Sequence, residues 1–276
     1  MVVHRSRVVI DVHGMDEAEV QINMAILHRQ IHVIDRIVGA IAPRPDDNLI
    51  EIGPGMGALS EPLLSLNPGL QMIELDRDLI PGLRAQFFNY PQLTIHEGDA
   101  LRFDYRAIAE KGPLRIVGNL PYNISTPLIF HLLDFRDVIR DMHFMLQKEV
   151  VERMAAAPGD SNWGRLAIMT QYYCQVIPLF TVGSGAFRPA PKVESAVVRL
   201  VPHAELPCPA EDPELLAQVV RTAFSARRKT LRKGLHTLME DADWQQLGLD
   251  PGLRPQNLSL ADFVALANYL YRADQE

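Results

Sequence analysis

The stretch VGNLPYN, Val117 to Asn123, sets an amide, a carbonyl ahead of a proline and an aromatic ring side by side. That combination suits an amine that is a poor nucleophile because its lone pair is delocalised, as in the exocyclic N6 of adenine. Two acceptors that take both N–H hydrogens draw such a nitrogen toward a tetrahedral form. Asn119 supplies a side-chain amide oxygen and Leu120 a backbone carbonyl. Pro121 has no N–H and holds the turn, so the carbonyl before it keeps its direction. Tyr122 offers a face on which a base stacks, worth about 1–3 kcal/mol. With a methyl donor that is already cationic, no strong general base is needed, and catalysis is mainly positioning and electrostatics. The plainer reading is a polar turn; the place of the stretch at the end of a strand favours a site.

The donor side is read from the other strand ends. After the run NLIEI come Gly53-Pro54-Gly55-Met56-Gly57, glycines that allow a tight turn and close approach of a ligand to the backbone. Glu74 follows Gly53 by about 20 residues, the usual spacing of an acid that grips ribose hydroxyls. Up to this point a nicotinamide enzyme fits equally. The spacing here is G-x-G-x-G, however, and Asp99 in EGDAL adds a second acid placed to accept from an adenine amino group. Taken singly, each acid also suits a helix cap or a turn. Together, Gly53, Gly55, Glu74 and Asp99 suit a nucleoside without phosphate, and S-adenosylmethionine is one: adenine, ribose, a sulfonium cation and an amino-acid tail. A target base held between rings must leave its stack, which points to single strands or loops. Phe187, between Ala186 and the Pro189/Pro191 pair, is a candidate second ring opposite Tyr122, although an aromatic in such a loop is also a common core plug.

Several elements must position these residues. Ile31, Ile34, Ile37, Val38 and Ile41 recur at helical spacing, and Pro43 and Pro45 stop that helix. The runs NLIEIG, LQMIELD, LTIHEGD and LRIVGN read as strands, with helices between them in ALSEPLLSL and RDLIPGLRAQF and after them in STPLIFHLLDF, where Ser125 reads as the cap. Alternating strands and helices predict a parallel sheet covered on both faces, with ligands outside the carboxyl ends of its strands. AIMTQYYCQVIPLFTV and ESAVVRLVP read as longer strands, an antiparallel edge of the same sheet. The Pro- and acid-rich HAELPCPAEDPE reads as a linker, and beyond it ELLAQVVRTAFSARRKTLRKGLHTLM and SLADFVALANYLYRA read as helices, the latter with a Ser259/Asp262 capping box. The division expected is an atypical arm over 1–24, an α/β domain over 25–203 and a small all-helical domain over 208–276.

The chain has 276 residues, a net charge of −7 and two widely separated cysteines, Cys174 and Cys208. No C-x-x-C spacing occurs, so two reduced thiols of a cytoplasmic protein are expected. No apolar run approaches the roughly 20 residues of a membrane span, so no membrane partner is expected. The acidic balance hides a polarised distribution. Between Glu214 and Glu240 there is no acid, while Arg221, Arg227, Arg228, Lys229, Arg232 and Lys233 fall in that interval. On one continuous helix, Val220, Phe224, Leu231 and Leu235 make an apolar stripe and the cations project elsewhere, a face suited to RNA phosphates. A merely solvated basic face is the plainer alternative.

These residues resemble the ribosomal RNA adenine N6,N6-dimethyltransferase family, in its bacterial small-subunit branch. The stretches that carry the resemblance are EIGPGMGALSEPL, IELDRDL, GDAL, GNLPYNISTPLIFHLL, MHFMLQKEVVERM, GRLAIMTQYYCQVIP, AFRPAPKVESAVVRLVP and AFSARRKTLRKGL. The FMLQKEV and SARRKTLRK stretches favour that branch over the large-subunit resistance enzymes, and Leu120 disfavours a DNA adenine methyltransferase. The resemblance implies a Rossmann-like class I methyltransferase sheet, mostly parallel with an antiparallel edge, plus a small helical C-terminal domain. It implies S-adenosylmethionine, without a metal, on Gly53, Glu74, Asp99 and Asn119. It implies the target adenine on Asn119, Leu120 and Tyr122, with Phe187 on its other face. The implied substrate is a pair of adjacent adenosines in the 3'-terminal hairpin of 16S rRNA, each receiving two methyls, in the immature small ribosomal subunit, with a role as an assembly checkpoint. Nothing demands more than a monomer. The resemblance begins at about His32. The family's basic segment and RFGQNFL-like motif have no equivalent in VQINMAILHRQ, where Leu27 aligns with the family's Leu and Asn23 falls too early. That departure supports an alternative, a ribosome-assembly binding factor that does not catalyse.

Overall fold

The strands NLIEI and QMIE are buried at every position, polar residues included, so they have cover on both sides. The computed structural model describes residues 17–186 and 193–275. In chain order these form α1 (Glu17–Ile41), β1 (Asn48–Ile52), α2 (Ser60–Leu66), β2 (Gln71–Glu74), α3 (Leu79–Gln86), β3 (Thr94–Glu97), β4 (Leu114–Asn119) and α4 (Ser125–Leu133). Then follow β5 (Ile139–Gln147), α5 (Lys148–Met154), α6 (Arg165–Tyr173), β6 (Cys174–Val182), β7 (Ser195–Pro202), α7 (Pro213–Ser225), α8 (Leu231–Gly234), α9 (Asp241–Leu247) and α10 (Leu260–Ala273). The strands make one sheet in the order β3-β2-β1-β4-β5-β7-β6. Strands β1 to β5 pair in parallel, and β7 runs antiparallel to β5. This is the mostly parallel, Rossmann-like sheet with an antiparallel edge that the sequence predicts.

The described residues divide into two compact units. One runs to Val151 and adds Ile177–Val201; the other takes Glu152–Val176 and continues from Pro202. The second unit is therefore not a simple C-terminal block, whereas the sequence pattern divides the chain near residues 203 to 208. Within it, Trp163 is buried and its indole N–H donates to the Leu258 carbonyl at 2.9 Å. Gln171 donates to the carbonyls of Met154 and Ala156 at 2.8 Å each. Helix α7 is capped by Asp212, and α10 carries the Ser259/Asp262 capping box read from the sequence.

Four local expectations are corrected. Helix α1 begins at Glu17, inside the stretch read as an arm; residues 1–16 lie outside the described ones. The first half of AIMTQYYCQVIPLFTV is helix α6 rather than strand. Leu166 to Thr170 are all buried, and an apolar run buried all round has no periodicity by which helix and strand differ. The long helix read over 214–239 breaks at Ala226, at φ −118° and ψ 42°. The backbone N–H groups of Leu231 and Arg232 are then given to the carbonyls of Leu253 and Pro251, partners that a continuous helix would not leave them free to take. Val220, Leu231 and Leu235 are fully buried as the apolar stripe demands, but from two helices. Ser125 is the first residue of α4, not its cap, and its hydroxyl donates to the Tyr122 carbonyl at 3.1 Å.

In the sheet-bearing unit, Ile37 and Ile41 of α1 pack with Leu63 and Leu64 of α2, Leu83 of α3 and the strand residues Leu49, Met72 and Val117. The C-terminal end of α1 is tied to the sheet by a buried cation. Arg115 of β4 donates to the Ile41 carbonyl at 2.6 Å, to Asp47 at 2.7 Å and to both oxygens of Asp141 at 3.0 and 3.2 Å. It thus takes up a carbonyl at a helix end, where positive charge is favoured. Arg199 of β7 also reaches Asp141, at 3.1 Å. His143 lies beside it, but burial pushes its pKa down to about 4, so the ring is neutral near neutrality and adds no charge. Arg115→Met leaves Asp141, fully buried, without its bidentate partner. We expect a loss of about 3–5 kcal/mol in denaturant unfolding, with Arg115→Lys recovering only part because an ammonium cannot replace the fork.

Candidate active site

Parallel strands set their carboxyl ends along one edge of the sheet. Ile52 of β1 is paired with Ile73 of β2 and with Gly118 of β4. One residue further along each strand stand Gly53, Glu74 and Asn119, which are therefore level across three adjacent strands. Glu74 is paired in turn with Glu97 of β3, and Asp99 lies two residues beyond. The four strand ends read from the sequence thus share one edge. Gly118, which lies within VGNLPYN but is given no role by the sequence, is part of the same construction. A Cβ there would lie 2.8 Å from the Ile52 carbonyl oxygen, so only glycine allows β4 to reach Asn119 at this spacing.

The turn after β1 needs its glycines. Gly53, Gly55 and Gly57 have φ of +64°, +56° and +79°, values that side-chain-bearing residues rarely adopt. The turn is held by Glu74, which is buried. Its two oxygens accept from the N–H of Gly55 at 3.4 Å and of Asp76 at 2.9 Å. Asp99 accepts from the Leu101 N–H at 2.9 Å. Both acids therefore hold backbone turns, the plainer of their two roles. Each carboxylate oxygen carries two lone pairs, so both keep acceptor capacity for a ligand.

Beside this turn is a cavity of about 470 Å³, within the range of small-molecule sites. Gly53, Gly55 and Asn119 line it; Glu74, Asp99, Leu120 and Tyr122 do not. Leu27, Gln30, Ile31 and Asp35 of α1 also line it. Leu27 is the residue that the family resemblance aligns with the leucine of the motif before the first helix. Glu51, not among the residues singled out in the sequence, also faces the cavity. It is 2% exposed, and one oxygen accepts from the Ser60 hydroxyl at 2.6 Å. Burial, with the nearby charge of Glu74, pushes its pKa up to about 7. The signal in the sequence was an acid inside an otherwise apolar strand, NLIEI. Among the described residues, the charged ones on the cavity wall are Asp35, Glu51 and Glu61, all acidic. That lining suits a cation and disfavours a phosphate. Among the described residues no group of three or more His, Cys, Asp or Glu is placed to hold a metal, and no helix is long and apolar enough to cross a membrane.

On the other side of Asn119 the chain turns sharply. Leu120 is buried and its N–H donates to the Met145 carbonyl at 3.2 Å, while the Pro121 carbonyl accepts from the Ile124 N–H at 3.2 Å. Asn119 is exposed, and Tyr122 is 42% exposed despite its size. Phe187 lies outside the described residues, which end on that side at Ala186, itself on the cavity wall. The six cations are exposed in the second unit. Arg221 is on α7, Arg227, Arg228 and Lys229 are in the turn before α8, and Arg232 and Lys233 are on α8. Arg227 donates to the Ser161 carbonyl, and Arg232 lies 3.3 Å from Asp241.

Glu51 keeps its proton where an unfolded glutamate, at 4.5, has lost it. The folded chain then binds more protons than the unfolded one between those values and about 7, so stability falls as pH rises through that window. Glu51→Gln without ligand is expected to melt a few degrees above the parent at about pH 8 and level with it at about pH 4, as thermal unfolding across pH will show.

Comparison with known proteins places the chain in a family and agrees with its fold. Residues 22–272 match the family described as Ribosomal RNA adenine dimethylase. A protein of Marinobacter nauticus named Ribosomal RNA small subunit methyltransferase A is 65% identical over 238 residues, covering 86% of each chain. One of the same name from Chromohalobacter salexigens is 62% identical over 247 residues, 88% of each chain. Among solved structures, a dimethyladenosine transferase from Plasmodium falciparum superposes with a TM-score of 0.71 at 29% identity, covering 85% of this chain and 94% of its own. The 23S rRNA methyltransferase ErmE, at 24% identity and a TM-score of 0.66 over 87% of this chain and 97% of its own, shares the fold. Matched over residues 22–272 of its 276, the chain belongs to the ribosomal RNA adenine dimethylase family.

Proposed function

We propose that this protein transfers methyl groups from S-adenosylmethionine to N6 of two adjacent adenosines in the 3'-terminal hairpin of 16S rRNA, giving N6,N6-dimethyladenosines. The proposed setting is the immature small ribosomal subunit in the cytoplasm, with the protein acting as a monomer. The observation that carries the reading is the exposed Asn119–Tyr122 turn set level with an acid-lined cavity at the carboxyl edge of the sheet. Membership of the family and the names of its relatives support it.

The residues fit the donor. Gly53 and Gly55 bring backbone to the cavity wall without side chains, Glu74 is positioned for ribose hydroxyls, and Asp99 for the adenine amino group. Met56 and Leu75, both exposed, flank the hydrogen bond between Gly55 and Glu74 and offer apolar surface for a base. S-adenosylmethionine supplies an electrophilic methyl on a sulfonium. The chain's own task is to present the amine. Asn119 accepts one N6–H through its amide oxygen and Leu120 accepts the other through its carbonyl. Pro121 holds that carbonyl, and Tyr122 takes one face of the base. Phe187 is proposed for the other face. Proton loss follows methylation, because an alkylated ammonium on the ring is strongly acidic and needs only water. Arg221, Arg227, Arg228, Lys229, Arg232 and Lys233 are proposed to bind the RNA backbone.

The first test is methyl transfer from labelled S-adenosylmethionine to immature small subunits that lack the adenosine methyls. Dimethyladenosine should form, and Asn119→Ala should cost roughly 10²–10³ in turnover, as removal of a positioned polar group does, with subunit binding retained. Tyr122→Ala should cost about 1–3 kcal/mol of base binding. Subunit binding without any methyl incorporation by the parent chain would instead favour an assembly factor.

RNA affinity should fall steeply with salt. Replacing Arg227, Arg228 and Lys229 by Gln should lower the slope of log K against log salt by up to about 1 for each phosphate that no longer has a cation beside it. An unchanged slope, measured by filter binding at several salt concentrations, would remove these residues from the interface.

A further inference from the structure

We infer that Glu51 selects the cationic methyl donor over its demethylated product by charge, and that donor binding displaces a proton from this side chain. The inference rests on the cofactor reading above and extends it to a residue and a discrimination that reading does not contain. S-adenosylmethionine and S-adenosylhomocysteine differ by one methyl and by the positive charge on sulfur. Shape alone separates them poorly, since one methyl in a pocket discriminates weakly. An ionised carboxylate on the wall separates them by charge, and a protonated one does not.

The geometry singles out Glu51. It is the penultimate residue of β1, it faces the cavity together with Gly53, Gly55 and Asn119, and it is almost wholly removed from water. The groups around it come from every neighbouring element. From α2, Ser60 donates a hydrogen bond to one oxygen and Glu61 stands on the cavity wall. The charge of Glu74 acts on it from β2, and Asp35 and Gln30 of α1 and Asn119 of β4 line the same cavity. No Lys, Arg or His stands among the described residues that line the cavity. Burial and the charge of Glu74 oppose the ionised form, the one hydroxyl favours it, and the balance leaves the group titrating at about 7. A ligand cation reverses that balance. Glu51 then gives its proton to solvent, and no other bond is made or broken. After transfer the sulfur is neutral, the carboxylate loses that partner and takes up a proton from solvent, and replacement of the product by fresh donor gives the proton back. An enzyme that methylates two adenosines twice each must exchange product for donor repeatedly, and this asymmetry serves that exchange.

The test is calorimetric titration of the full chain with S-adenosylmethionine and, separately, S-adenosylhomocysteine. It is run between about pH 6 and 7.5, in pairs of buffers with different ionisation enthalpies. The parent should release protons on binding donor and fewer on binding product. Its donor-to-product affinity ratio should rise roughly fivefold or more across that range, as linkage to one such group requires. In Glu51→Gln the ratio should be flat with pH and the extra proton release absent. Ser60→Ala, which removes the bond that favours ionisation, should move the rise to higher pH and guards against a Gln variant that does not fold. Equal proton release for both ligands, a flat ratio in the parent, or an unchanged ratio profile in Glu51→Gln would overturn the inference while leaving the cofactor site intact. Failure of the parent to bind either nucleoside would overturn the cofactor reading, and the inference with it.

Discussion

The site depends on the register of one strand. Parallel strands have no hairpin turn to align them, so their alignment must come from packing on both faces and from close approach between neighbours. In this chain β1 is buried along its whole length and lies between β2 and β4, with Ile52 level with Ile73 on one side and Gly118 on the other. The absence of a side chain at Gly118 lets the two backbones meet where a Cβ would strike the Ile52 carbonyl. A slip of β4 by one residue would turn Asn119 to the other face of the sheet and bring a bulkier residue against that carbonyl. The level placement of Gly53, Glu74 and Asn119 follows from this alignment rather than from any contact among the three.

A second constraint works from the opposite end of the strands. Arg115 holds the last carbonyl of α1, and α1 lines the cavity through Leu27, Gln30, Ile31 and Asp35. The guanidinium thus holds the end of a helix that lines the cavity, without lining it itself. The cost of burying this cation is offset by two acids, Asp47 and Asp141, each within hydrogen-bond distance. Truncating any one member leaves the others uncompensated, so the cluster acts as a unit.

Charge is segregated between the two units. Acids collect at the cavity, where they favour a cationic nucleoside, and the exposed cations collect in the second unit over 221–233, where they suit a polyanion. The overall balance of −7 therefore says little about partners, because it averages two opposite fields. The break between α7 and α8 changes how the cations are displayed. Arg227, Arg228 and Lys229 stand on a turn, not along a helix face.

By itself the sequence determined the alternation of strands and helices, the strand-end residues Gly53, Glu74, Asp99 and Asn119, the Ser259/Asp262 cap and the basic interval. Each of these is local: a run of apolar residues, a glycine that permits a turn, a hydroxyl three residues ahead of an acid. The resemblance carried by NLPYNISTPL and FMLQKEV extended that reading to a family. What the sequence left open was set by partners distant along the chain. The run from Leu166 to Thr170 is buried on all sides, so its pattern does not separate helix from strand. The break at Ala226 exists because the carbonyls of Pro251 and Leu253 take the N–H groups of Arg232 and Leu231. The second unit draws Glu152–Val176 into itself, and there the Trp163 indole finds its acceptor at Leu258. Glu51 reads along the chain as one polar residue in a strand. Only the closing of α1 and α2 around it removes its water, and that loss of solvent, not the residue type, is what makes its charge respond near neutral pH.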